Sequence, residues 1–265
     1  MARFLISARR ASSVVAAALL ACLSLGAAPR AAAGEVAVAV ASNFLQPLRE
    51  IAPVFEAESG HTLRISAGST GKLYAQIVQG APYDVFLAAN VRDPERLEAE
   101  GEAAAGSRFT YALGRLVFWG AEPGLDPKAM LQTGAYSRLA IANPKLAPYG
   151  RAARQALDQL TLDQLGGESA AAPPIILAET VSQALQFART GNVDLAAFAL
   201  SQVSAGGLEE DGSLWIAPET LYDPIRQQAV LLNRGEDNPA AVAFYAFLRS
   251  DAARAAIIGF GYGVE

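Results

Sequence analysis

Four short segments of the chain place small or polar residues directly in front of apolar residues at helical spacing. They are 41–43 (Ala-Ser-Asn), 68–72 (Gly-Ser-Thr-Gly-Lys), 147–150 (Ala-Pro-Tyr-Gly) and 178–181 (Ala-Glu-Thr-Val). The first turn of a helix has backbone N–H groups without intrahelical partners and a partial positive charge, so it can hold an anion. Four such starts predict a site that binds a small oxyanion through hydroxyl and backbone donors.

Each of these segments also has an ordinary structural interpretation. A hydroxyl residue before a helix usually caps it, so Ser42, Ser69 and Thr70 taken singly indicate only helix starts. The glycine-rich segment differs from a nucleotide-binding phosphate loop, because no glycine stands five positions before Gly71. Lys72 can face an anion or can simply be solvated. The prediction therefore rests on the combination of segments.

No pattern typical of a catalyst accompanies these segments. The one histidine, His61, lies in a polar turn where we expect it to be exposed, and the sequence contains no Gly-x-Ser-x-Gly nucleophile elbow. The carboxylates Asp84, Glu179 and Asp194 are isolated from one another in sequence. We expect no enzyme activity, no cofactor and no site for a metal cation.

The first 33 residues have the organisation of a secretory signal peptide. Three arginines within the first ten residues precede an apolar run at 14–25 that is too short to span a bilayer, and alanines at 31–33 offer a cleavage site. We expect a periplasmic mature chain that starts near Gly34. The alternatives are a retained anchor and lipid attachment at Cys22. Cleavage near Gly34 removes this one cysteine, which excludes disulfides and thiolate chemistry.

The charge of the mature chain limits its partners. Removing the four arginines of residues 1–33 from the 21 basic residues leaves 17 against 26 acidic residues, a net charge of −9. This charge argues against nucleic acids and anionic membrane surfaces as partners. Because the overall field repels anions, an oxyanion must be held by donors aimed at it locally.

The rest of the chain alternates strand and helix patterns, which predicts an α/β fold with mostly parallel sheets. Pro53 falls inside a helical pattern at 44–55 and predicts a kink or an interruption there. Two apolar strands at 113–119 and 225–232 are candidates for the two crossings of a hinge. The expected organisation is a signal peptide at 1–33, one lobe at 34–112 plus 229–265, and a second lobe at 113–228. A single doubly wound domain is the alternative.

Six stretches, in one order over nearly the whole mature chain, carry a family resemblance. They are Val40–Phe44, Ala67–Ile77, Gly80–Ala89, Ala142–Gly150, Ala199–Gln202 and Pro224–Leu232. Together they resemble the periplasmic molybdate-binding proteins of ABC transporters. The resemblance implies a two-lobed, type II periplasmic binding fold, with two mixed or parallel sheets flanked by helices and a two-strand hinge. It also implies molybdate or tungstate in the cleft and a membrane permease as partner.

The resemblance assigns ligand contacts in the first two segments. The first-loop hydroxyl of the family falls on Ser42, with Asn43 beside it as in the members where an asparagine joins the site. The second-loop hydroxyl best matches Thr70, counted back from Gln76, and Ser69 stays a candidate one position away.

Two further contacts follow from the third and fourth segments. The backbone donor of the third loop falls on Tyr149, and the amide donor at the start of the fourth helix falls on Val181. Some family members use a tyrosine at a place that corresponds to about Ala199 here, so that hydroxyl is missing. We expect Asn43 or Tyr149 to replace it.

Alternatives to molybdate remain open from sequence. A binder of sulfate or thiosulfate is one, because these ions differ from molybdate mainly in size. An enzyme on the same fold, such as a hydrolase or synthase, is another. The tungstate ion is nearly the size of molybdate, so the residues do not separate the two. We expect a monomer.

Overall fold

The computed structural model describes residues 33–162, 173–204, 208 and 212–265. Residues 1–32 of the predicted signal peptide lie outside the described residues, so the leader, its cleavage site and the lipid-attachment alternative stay predictions. Within the described ranges, no helix combines the length and the apolar character that crossing a membrane requires.

The described residues form ten strands and ten α-helices. The strands are β1 Glu35–Ala41, β2 Thr62–Gly68, β3 Val85–Leu87, β4 Phe109–Gly114, β5 Leu116–Gly120, β6 Leu139–Ala142, β7 Ile175–Ala178, β8 Leu195–Ala199, β9 Ser213–Ile216 and β10 Ile225–Leu231. The helices are α1 Leu45–Ser59, α2 Thr70–Val78, α3 Arg92–Ala99, α4 Pro127–Thr133, α5 Pro148–Leu162, α6 Val181–Arg189, α7 Ser201–Ser204, α8 Asn233–Glu236, α9 Pro239–Phe247 and α10 Asp251–Gly259. Short 3₁₀ turns occupy Ser42–Phe44 and Glu219–Leu221.

The strands build two five-stranded sheets. The first has the order β2-β1-β3-β10-β4 and the second the order β7-β6-β8-β5-β9. In each sheet three neighbouring strands run parallel, and two more pair antiparallel. The predicted α/β class, with mixed sheets flanked by helices, is confirmed.

Both faces of the first sheet are covered, which explains its uninterrupted apolar strands. Alternate residues of β1 point to opposite faces because the side-chain period of a strand is two. Val36, Val38 and Val40 join one buried cluster with residues of α1 and α9. Ala39 belongs to a second cluster with residues of α2 and α3. A third cluster surrounds the second sheet and contains Trp119 and Phe198.

The chain passes between the sheets twice. The predicted strand 113–119 is two strands, because β4 ends in the first sheet and β5 starts in the second, with Arg115 between them. The return runs from the end of β9 to the start of β10 through 217–224. The lobe boundaries predicted after 112 and 228 fall inside β4 and β10, and the division into lobes stays a prediction.

Two local expectations were wrong. The predicted interruption at Pro53 does not occur, because helix α1 continues through it, with the proline ring on the exposed side of the helix. A kink at Pro53 stays a prediction. His61 is buried rather than exposed, with 8% of its surface accessible. Its Nδ1 accepts a hydrogen bond from the backbone N–H of Gly34 at 3.0 Å, so it fastens the first described residues to the sheet.

Candidate functional site

The four predicted segments meet at the carboxyl ends of parallel strands. Residues 42–43 follow β1, 69–70 follow β2, 147–149 come after β6, and 180–181 come after β7. Ligands of open α/β sheets bind at such strand ends, where helix starts converge. Two segments come from the first sheet and two from the second.

A single small cavity brings all six predicted contacts together. Its lining residues are Ala41, Ser42, Asn43, Gly68, Ser69, Thr70, Ala89, Ala147, Pro148, Tyr149 and Val181. The cavity is small, with about 190 Å³ of space between its lining residues, part of which is open to solvent. None of these lining residues is charged. The arrangement suits a small ligand held by uncharged hydrogen-bond donors.

The second segment separates the roles of its two hydroxyls. Thr70 Oγ1 accepts a hydrogen bond from the backbone N–H of Ala89 at 3.1 Å. Ser69 is 3% exposed, and its Oγ has no hydrogen-bond partner in the described part of the protein. Ser69 precedes α2 without capping it through its side chain. Because a buried hydroxyl without a partner is costly, Ser69 indicates a ligand more directly than Thr70 does.

The first segment contributes backbone more than side chain. Asn43 is buried, and its Nδ2 donates to Gln227 Oε1 at 2.7 Å and to the Tyr262 hydroxyl at 2.9 Å. A side-chain amide has only two N–H groups. The side-chain donors of Asn43 are therefore both used within the protein. Its backbone N–H and the hydroxyl of the half-buried Ser42 remain as donors from this segment.

The third segment starts helix α5 with a proline, which has no N–H to leave unpaired. The first intrahelical bond runs from the N–H of Arg151 to the carbonyl of Ala147 at 3.1 Å. The N–H of Tyr149 thus belongs to the first turn, where helix donors lack intrahelical partners. Gly150 permits this placement, because a Cβ there would lie 2.0 Å from the carbonyl oxygen of Ala142 at the end of β6.

The fourth segment is a capped helix start. The side chain of Thr180 accepts from the N–H of Gln183 at 3.1 Å, and its carbonyl accepts from Ala184. The N–H of Val181, at the first helical position, is left with no acceptor inside the helix. Ala199, where some family members have a tyrosine, is buried in β8 and is not among the lining residues.

Several contacts join the two sides of the cavity. The N–H of Gly71 donates to the carbonyl of Leu146 at 2.9 Å. Lys72 Nζ lies 2.6 Å from Glu179 Oε1, and both side chains are about half exposed. Lys72 therefore pairs with a carboxylate at the rim and is not among the lining residues. Such exposed ion pairs contribute about 0–1 kcal/mol.

The tyrosine that lines the cavity and the two tyrosines behind it stay neutral at ordinary pH. Burial raises the pKa of Tyr149 well above its usual range, and the neighbouring hydroxyl of Tyr262 adds to the rise. Burial also raises the pKa of Tyr262 and, more strongly, that of Tyr111. No phenolate therefore opposes an anion in this region.

Sequence reasoning missed the residues that support the lining. Gln227, Tyr262 and Ser201 all bond to Asn43 or Tyr149. Gln227 and Ser201 lie in two of the stretches that carry the family resemblance, which was the available signal. Among the described residues, no group of three or more His, Cys, Asp or Glu is placed to hold a metal ion.

This fold and this cavity define a protein that binds a small solute. The model of the family described as "Bacterial extracellular solute-binding protein" matches residues 36–263. The chain belongs to this family.

Similar proteins agree with the family. A molybdate-binding protein ModA of Azotobacter vinelandii is 48% identical over 237 residues, 89% of this chain and 92% of the relative. The ModA of Rhodobacter capsulatus is 42% identical over 244 residues, 92% of this chain and 94% of the relative. The solved periplasmic molybdate-binding protein of Azotobacter vinelandii has a TM-score of 0.77 and 39% identity, covering 87% of this chain and 99% of that one. The resemblance predicted from the sequence is confirmed.

Proposed function

We propose that this protein binds molybdate outside the cytoplasm, in the cavity between its two sheets, and delivers it to the permease of an ABC transporter. The observation that carries this proposal is the set of uncharged donors at four converging helix starts, including the buried Ser69 hydroxyl that has no partner among the described residues. The molybdate-binding relatives support the choice of ligand. The protein acts as a binder and not as an enzyme, in the periplasm and as a monomer.

The donor set matches the chemistry of the ion. Molybdate at neutral pH is a dianion without a proton, so it needs donors only. A hydrogen bond to a charged acceptor is worth about 1.5–3 kcal/mol. Five such bonds, from Ser42, Ser69 and the N–H groups of Asn43, Tyr149 and Val181, offset an association cost of several kcal/mol. With bonds near the upper end of that range, the balance of about 8–11 kcal/mol corresponds to a Kd between about 1 μM and about 10 nM.

The same donor set selects against phosphate. Near neutral pH phosphate usually carries a proton, and that proton requires an acceptor. A cavity of donors leaves the proton facing other donors, which disfavours the ion. Sulfate has no proton and is rejected only on size. Tungstate matches molybdate in charge and nearly in size, so we propose that it binds as well.

Calorimetry with molybdate, tungstate, sulfate, thiosulfate and phosphate tests the proposal. We expect tight binding of molybdate and tungstate, at least 100-fold weaker binding of sulfate, and no measurable heat with phosphate. Tighter binding of sulfate or thiosulfate than of molybdate would show that one of these ions, and not molybdate, is the ligand. No binding of any of the five ions would remove the oxyanion site.

A further inference from the structure

A buried glutamine links the two sides of the cavity. Gln227 lies on β10 and has no accessible surface. Its Oε1 accepts from Asn43 Nδ2 at 2.7 Å, and its Nε2 donates to the Tyr149 hydroxyl at 3.3 Å. Asn43 belongs to the loop after β1 of the first sheet, and Tyr149 starts the helix after β6 of the second. One side chain thus bonds to a lining residue from each side.

The backbone around Gln227 is shaped for this position. The pairing of β10 with β4 skips Tyr111, because Gln227 is opposite Ala112 while Gln228 is opposite Thr110. Such bulges redirect side chains near functional sites. The unpaired Tyr111 donates its hydroxyl to Gln227 Oε1 at 3.2 Å.

The absence of a side chain at Gly114 leaves room for the contact between Gln227 and Tyr149. A Cβ on Gly114 would lie 2.1 Å from the Tyr149 hydroxyl oxygen and 2.9 Å from Gln227 Nε2. Any side chain at this position would therefore displace the Gln227–Tyr149 pair. The bulge and the glycine are independent features of the backbone, and both favour the same contact.

A second bond across the cavity holds the same loop. Ser201, which follows β8 of the second sheet, donates its hydroxyl to the Asn43 carbonyl at 3.0 Å. The Tyr262 hydroxyl is 3.0 Å from the same carbonyl. With its carbonyl and both side-chain N–H groups bonded, Asn43 is fixed where its backbone lines the cavity.

We infer that Gln227 is a positioning residue for oxyanion binding. It holds the backbone N–H groups of Asn43 and Tyr149 at the distance from each other that binding of the ion requires. This inference rests on the proposed function. Gln227 lies outside the cavity lining and acts through its two partners. Its bond to Tyr149 forms only when the two sides are together, so it favours the arrangement that binds the ion.

The test is Tyr149→Phe, which removes the hydroxyl and keeps the backbone N–H at the cavity. We expect the Kd for molybdate to rise about 2- to 12-fold, mainly through faster release, since one hydrogen bond specific to the bound arrangement is lost. The matched control is Tyr245→Phe. The Tyr245 hydroxyl also bonds to β10, at the Ala229 carbonyl at 3.2 Å, but Tyr245 does not line the cavity. We expect it to lower the melting temperature and leave the Kd unchanged.

A second variant keeps the test decisive. Gln227→Met should raise the Kd at least as much as Tyr149→Phe does, and the double variant should bind no more weakly than Gln227→Met alone. An unchanged Kd in Tyr149→Phe and Gln227→Met, or an equal rise in Tyr245→Phe, would overturn the inference and leave the proposed function intact. Failure of the unaltered protein to bind molybdate would instead overturn the proposed function.

Discussion

Replacing Ser69 by alanine should separate ligand binding from folding. The Ser69 hydroxyl is buried and bonds to no described protein group, so the apo protein loses no hydrogen bond when it is removed. Removing an unsatisfied buried polar group is neutral or stabilising. We therefore expect the melting temperature of apo Ser69→Ala to be unchanged or higher.

The same substitution should weaken ligand binding strongly. A hydroxyl donated to a dianion is worth about 1.5–3 kcal/mol. At about 1.4 kcal/mol per tenfold change, the Kd for molybdate should rise about 12- to 140-fold. Isothermal titration calorimetry measures this rise, and thermal unfolding of the apo protein measures the stability.

Thr70→Val is the matched comparison for this experiment. It removes the acceptor of the buried Ala89 N–H, and an orphaned donor costs about 1–3 kcal/mol. For a chain of this size the apo melting temperature should fall by about 2–12 °C. We expect the larger loss of affinity in Ser69→Ala and the larger loss of stability in Thr70→Val. The opposite pattern, or an unchanged Kd in Ser69→Ala, would refute the assignment of Ser69 to the ligand.

Three further predictions concern the rim, the pH dependence and the helix start. Lys72→Gln and Glu179→Gln should each weaken molybdate binding less than about 5-fold, an effect that vanishes in high salt; tighter binding in Glu179→Gln would show that Lys72 instead contacts the ion. The Kd should stay constant between pH 7 and 9, because burial raises the pKa of the lining residue Tyr149 well above that range; a sigmoidal change in titrations across this interval would contradict this. Gly150→Ala should lower the melting temperature sharply, because the added Cβ would collide with the end of β6. Gly259→Ala should not lower it, because no atom lies within 4 Å of the added Cβ. Equal melting temperatures in the two variants would refute this packing argument.

The sequence was sufficient for features that depend on local pattern. Alternating strand and helix patterns predicted the α/β class. Hydroxyl residues that precede apolar residues at helical spacing predicted which strand ends form the site. Ser42 and Ser69 are distant in the chain, yet they lie at one edge of the first sheet because each follows a parallel strand. Parallel strands bring their carboxyl ends to one edge, so the convergence within each sheet follows from the pattern. That Val181, at the edge of the second sheet, lines the same cavity did not follow from it.

Features that depend on long-range contact were not predictable in this way. The choice between Ser69 and Thr70 depends on Ala89, which lies on another loop and pairs with Thr70. The role of Gln227 depends on a bulge in the pairing of two strands that are over 100 residues apart in sequence. His61 lies in a segment that looks like a polar turn, but its ring accepts a hydrogen bond from Gly34 and is buried.

The crossing between the sheets shows the same limit. Residues 113–119 were expected to form one strand, whereas β4 ends at Gly114, β5 begins at Leu116, and the two strands join different sheets. The backbone N–H of Leu116 donates to the Tyr222 hydroxyl at 3.1 Å just past this division. That partner comes from the return crossing. Within the segment, Gly114-Arg115 interrupts the apolar run at the break and was the available signal.

A crystal structure of the protein with molybdate tests the central claim most directly, because the anomalous signal of molybdenum locates the ion without ambiguity. We predict one ion in the cavity, within hydrogen-bond distance of Ser69 Oγ, the Ser42 hydroxyl and the backbone N–H groups of Asn43, Tyr149 and Val181, with no cationic side chain in contact. An ion bound elsewhere, or one held in the cavity by a lysine or arginine, would contradict the account.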